Sequence, residues 1–182
     1  MNLLNFLNIE VLAKYITNNI KPIPQNEDDV FLSVDDIFKY KKANCIDLAL
    51  LYHNFLKLHN IKHGIFQIGL YKNTKMQQIG QYHICVYYFN NNKYKIIQNL
   101  LIGKIKNEIF IGNNDLFFTL IRFKNYFLPA YKKLTYIYNA EEIIKILSYK
   151  DILQLDSYII NNDIYHKQIK FHNLLKQHNN IL

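Results

Sequence analysis

The stretch "ANCIDLALLYHNFLKLH", residues 43–59, most constrains what this chain can become. Apolar residues recur at helical spacing, with Leu48, Tyr52, Phe55 and Leu56 on one face and Ala49 and Leu51 widening it. The helix is apolar on most sides, so it is expected to be the buried central helix of the fold, covered by other elements. Asn44 is a good N-cap for it, and the helix is expected to run from there to about His59. "HNIKHG" then ends the helix, with Gly64 expected as the turn residue.

Beyond that point the period changes from about 3.6 to 2. "IFQIGLY" (65–71) reads as a strand, "KNTKMQQIGQ" as a polar loop and "YHICVYYF" (82–89) as a strand rich in β-branched and aromatic residues. "NNN" (90–92) is a hairpin turn, because asparagine tolerates positive φ. "KYKIIQNLLIGK" is the return strand, and "NEIFIG" continues the sheet.

The flanks read as helical. Leu3, Leu4, Leu7, Val11 and Tyr15 carry helical spacing over residues 3–19, and Pro22 and Pro24 break that helix before the acidic "EDD". Ser33 caps a short helix whose first turn holds Asp35 and Asp36. From Asp115 the pattern turns helical again, and Asn139 is a candidate N-cap for a later helix.

The fold class expected is α+β: helices, one buried helix, an antiparallel meander, then helices. At 182 residues the chain fits one domain. Its core spans about 33–112, with an N-terminal helix (2–20) and a C-terminal helical region (114–182) as additions.

One cysteine stands at the front of the buried helix. A thiol must ionise to act as a nucleophile, and a helix N-terminus favours the thiolate through unpaired N–H groups and the helix dipole. Cys45 follows the cap Asn44 directly. A base must also reach it, and a third group must orient that base. His83 opens the strand "HICVYYF", and Asn99 lies as far after Asn91 as His83 lies before it. A hairpin symmetric about Asn91 makes the two cross-strand neighbours. Gln98 is the competing third residue, since a one-residue slip exchanges the faces of a strand.

Cysteine opening a buried helix, then a strand, then histidine opening a strand, then an amide ending the next strand resembles the papain-like and transglutaminase-like superfamily. The likeness is carried by "ANCIDLALLYHNFLKLHNIKHGIFQIG" and "QYHICVYYFNNNKYKIIQN" and covers roughly Ser33 to Leu100. It is nearest to small bacterial and viral or phage members. It implies a papain-like core, with Cys45 as nucleophile, His83 as base and Asn99 or Gln98 as the orienting residue. The activity implied is cysteine-dependent acyl transfer on a peptide or protein amide. The chain departs from that family pattern in three places. "KKAN" replaces the usual glycine near the cysteine, Cys85 stands where a tryptophan follows the histidine, and the third residue is an amide instead of an aspartate. The alternative function is an inactive module of the same fold, for example a phage virion component with protein partners in an assembly.

Other features exclude or weaken further classes. The net charge is +8, and Arg122 is the only arginine among 22 basic residues. AT-rich codons account for the abundance of Lys, Asn, Ile and Tyr, and the lysines are spread along the sequence. A weak attraction to polyanions follows in any case, and a nucleic-acid-associated subunit is a third reading. Two cysteines are too few for a disulfide framework. Cys85 follows His83 by two residues, shares its strand face and reads as a core residue. His53, His59 and His63 show no zinc spacing. His166, His172 and His178 recur every six residues, about 600° of helix, and so do not share a face. "EDD" at 27–29 offers too few oxygen ligands for calcium. No cofactor and no metal is expected. The N-terminal segment lacks a basic front end, so no signal peptide is expected, nor any membrane span. The location expected is cytoplasmic or virion-associated.

Overall fold

The computed structural model describes residues 2–23, 32–71, 79–98, 107–127 and 135–139. Within them the chain is α+β, as the change of period indicated. A five-stranded antiparallel sheet carries helices on both faces.

A single turn of 3-10 helix at Leu3–Asn5 precedes α1 (Ile9–Asn19). One continuous helix over 3–19 was expected. Asn8 divides it, because its side chain accepts from the Val11 N–H at 2.9 Å and caps the true start. The shift changes the buried face. Ile9, Leu12, Ala13 and Ile16 face the core, whereas Leu4, Leu7 and Val11 are exposed. Two short strands, β1 (Lys21–Pro22) and β2 (Lys42–Ala43), then pair in parallel across either side of α2 (Val34–Tyr40). Ser33 caps α2 as expected, accepting from the Asp36 N–H at 3.1 Å.

α3 (Cys45–Leu58) is the buried helix. Leu48, Ala49, Leu51, Tyr52, Phe55 and Leu56 are all buried. Full burial contributes roughly 1.5–3 kcal/mol for each large apolar side chain. The left-handed turn after it falls on Asn60 (φ 53°), not on Gly64. Gly64 lies inside β3 (His63–Tyr71), where the ring of Tyr87 on the neighbouring strand occupies the space a Cβ would need.

β3, β4 (Ile79–Asn90), β5 (Lys93–Gln98) and β6 (Glu108–Ile111) form a meander. Asn91 and Asn92 both have positive φ (52° and 58°), making a two-residue turn that pairs Asn90 with Lys93. After α4 (Leu116–Phe127), β7 (Thr135–Asn139) adds to the free edge of β3. This fifth strand was not expected, and Asn139 ends it opposite Phe66; the helix it was expected to cap lies outside the described residues. The expected segments at 24–31, 72–78, 99–106, 128–134 and 140–182, including "EDD", the three late histidines and the later helix, lie outside the described residues.

Alternate residues of β4 enter different layers. Ile84, Val86 and Tyr88 join α1, α2 and α3 in the larger core, while Cys85 packs with Phe66, Ile96, Leu120 and Phe123 beneath α4. Both faces are covered, which is why "ICVYYF" reads as a continuous apolar run and not as an alternation. No described helix is long and apolar enough to cross a membrane.

The connection into α4 depends on Gly112. A Cβ there would run into the buried side chain of Thr119, whose hydroxyl donates to the Asp115 carbonyl at 2.8 Å and accepts from the Asn113 N–H at 3.1 Å. Gly112→Ala is expected to cost about 1–3 kcal/mol through overpacking. Equilibrium urea unfolding checks it, and an unchanged midpoint would mean that Thr119 yields freely.

Candidate functional site

The first turn of α3 is held by a reciprocal cap. The Asn44 side-chain oxygen accepts from the N–H groups of Ile46 (2.9 Å) and Asp47 (3.0 Å). Asp47 answers by accepting from the Asn44 N–H at 3.1 Å. Its other oxygen accepts from the Leu32 N–H at 3.0 Å, fixing the approach to α2. Asp47 is fully buried, so its charge is balanced by these N–H donors and the positive end of α3. Asn44 with an acidic residue three positions on is a capping-box signature, and that spacing is the sequence signal that points to Asp47.

Cys45 is the first residue of this helix and is 6% exposed. Burial pushes its thiol up to about 11, the largest of the influences on it. Backbone hydrogen bonding at Ile84 of β4 works against that, the Asp47 charge adds to the rise, and the N–H groups of Cys45 and Ile46 again oppose it. Burial wins. At pH 7 only about one thiol in 10,000 is ionised, so the helix N-terminus alone does not make a resting thiolate. Cys85 is also buried, and burial drives its thiol well above the usual range, with a smaller contribution from Cys45.

The contact with Ile84 places Cys45 at the stretch of β4 that holds His83. His83 pairs with Ile68 of β3, and its side chain lies outside what the structure describes. The hairpin register corrects one expectation. Symmetry about Asn91 would set Val86 opposite Ile96, but Val86 pairs with Ile97, because the turn has two residues. The register argument that set Asn99 beside His83 is therefore off by one residue, and Asn99 itself lies outside the described residues.

Gln98 is described. It ends β5, pairs with Glu108 of β6 and is 2% exposed. Its side-chain Nε2 is buried with no hydrogen-bond partner among the described residues, which leaves an amide donor desolvated at a cost of about 1–3 kcal/mol. Gln98 alternates with Ile97, so it takes the α4 side of the sheet with Ile96. Cys45 belongs to the α3 layer and meets β4 at the Ile84 backbone.

Histidine also meets histidine elsewhere. The ring nitrogens His63 Nε2 and His53 Nδ1 are 3.0 Å apart, and His63 Nδ1 lies 2.6 Å from the Ile61 carbonyl, to which it must donate. Nothing in their ten-residue spacing announced this pairing of α3 with β3. Among the described residues, no three His, Cys, Asp or Glu side chains converge to hold a metal. No protein-family model matches the sequence, and no curated protein matches it.

Proposed function

We propose that the chain is a cysteine-dependent acyl-transfer protein with a papain-like or transglutaminase-like core, in which Cys45 is the nucleophile and His83 the base. The observation that carries this reading is the seat of Cys45 at the start of α3 against the β4 backbone at Ile84, one residue from His83. Gln98 or Asn99 is the third residue, and Gln98, buried at the end of β5, would orient the imidazole by accepting from its ring N–H through the side-chain oxygen. The Cys45 sulfur would attack an amide carbonyl of a peptide or protein, passing its proton to His83. As the C–S bond forms and the C–N bond breaks, the imidazolium would return that proton to the leaving amine. Water or a second amine would then release the acyl group. The Cys45 N–H would be the donor for the oxyanion, since those of Ile46 and Asp47 already donate to Asn44.

A second reading is favoured by one observation. The thiol is 6% exposed and pushed up to about 11, as in a non-catalytic module that serves an assembly. Iodoacetamide labelling across pH 5–10, with the modified cysteine located by mass spectrometry, separates the two. In a working Cys–His pair the Cys45 rate is nearly flat from pH 6 to 8, and His83→Ala lowers it at least tenfold at pH 7. In an isolated buried thiol the rate climbs roughly tenfold per pH unit toward its ionisation and ignores His83. The climbing profile, or labelling confined to Cys85, would remove the acyl-transfer reading and leave the assembly module.

A further inference from the structure

The sequence scatters its lysines, but the fold gathers four of them. β1 and β2 pair Lys21 with Lys42, and the Lys21 N–H donates to the Lys41 carbonyl at 2.9 Å. Lys41 ends α2 in the left-handed conformation (φ 52°), which turns the chain so that Lys39 and Lys42 flank Tyr40. Their ammonium groups lie 5.0 and 5.8 Å from the centre of the Tyr40 ring. All four lysines are exposed, and Tyr40 is 51% exposed. None of the four makes an ion pair among the described residues. Asp35 and Asp36 lie at the other end of α2, where Asp36 is bonded to Ser33.

We propose that this cluster is a binding site for single-stranded nucleic acid, with the lysines on phosphates and the Tyr40 ring stacked on a base. The site is independent of Cys45 chemistry. Four cations with no ion pair among the described residues, concentrated around one exposed ring, match a strand that alternates phosphates with flat bases. Lysine acts on phosphate as a point charge, and the cluster holds no arginine to form bidentate contacts with base edges, so recognition is not sequence-specific. An acidic protein segment would satisfy the lysines but would leave the tyrosine ring without a stacking partner.

The test uses the full chain with a fluorescein-labelled oligothymidylate, followed by anisotropy between 50 and 200 mM NaCl. Four phosphate contacts give a log–log salt slope of about −3 for a single strand. Lys41→Gln with Lys42→Gln removes two of them and is expected to halve the slope. Tyr40→Ala is expected to weaken binding by roughly 5- to 150-fold, the loss of one stacked base, with the slope unchanged. All three residues are on the surface, and circular dichroism verifies that the variants stay folded. Binding that is unaffected by both variants overturns the site. Displacement of the oligonucleotide by polyglutamate at equal charge concentration overturns the choice of ligand, assigning the cluster to an acidic protein surface.

Discussion

Asp47→Ala is expected to lower the stability of the fold by about 3–5 kcal/mol. Its carboxylate is fully buried and accepts from two backbone donors, the N–H groups of Asn44 and Leu32. Bonds to a charged acceptor contribute about 1.5–3 kcal/mol each, and alanine would leave both donors without their partner. The change also removes one half of the α3 cap and a negative charge from the positive end of that helix. Asp47→Asn keeps an acceptor oxygen and should cost about half as much. Both variants remove a charge that raises the Cys45 thiol, so its titration at 240 nm should move downward. Denaturant unfolding checks the stability effect, and a loss under 1 kcal/mol for the alanine variant would show that the cap is dispensable.

Stability is also expected to fall steeply above pH 9. The Cys45 thiol ionises near 9.0 when free and near 11 in the fold, because burial penalises the thiolate. Below pH 9 both states keep the proton, and the group does not alter stability with pH. Between pH 9 and 11 the unfolded chain releases the proton while the folded chain holds it, so unfolding becomes easier as pH rises. Two pH units correspond to about 3 kcal/mol. Cys85, Tyr52 and Tyr88 are all raised first of all by burial, so they steepen the same decline as their own ordinary ranges are passed. Melting temperatures recorded from pH 7 to 11 should be level and then drop, and Cys45→Ala should shallow the drop. A level curve through pH 10.5 would mean that water reaches these groups.

Local signals served the reading well where the chain itself supplies the partner. Ser33 and Asn44 cap their helices as read, since an N-cap bonds an N–H only two or three residues away. The apolar face of α3 and the turn asparagines were legible for the same reason. The first helix was misread because Leu4, Leu7 and Val11 are spaced correctly for a buried face. Only the cap at Asn8 decides which of two apolar stripes turns inward. The histidine hairpin was misplaced by one residue, because symmetry about "NNN" cannot say whether two or three asparagines form the turn. Two positive φ angles decide that, and they set Ile97, not Ile96, opposite Val86.

The sequence by itself determined the α+β class, the central place of α3 and the position of Cys45 at its first turn, because each depends on periodicity or on contacts within four residues. Tertiary structure alone decided how buried that thiol is, and therefore that it rests neutral near 11 instead of ionised. It also decided that Gln98 Nε2 is buried without a partner among the described residues and that Lys21 stands beside Lys42. Desolvation, register and charge clustering arise between segments distant in sequence, and no local pattern carries them.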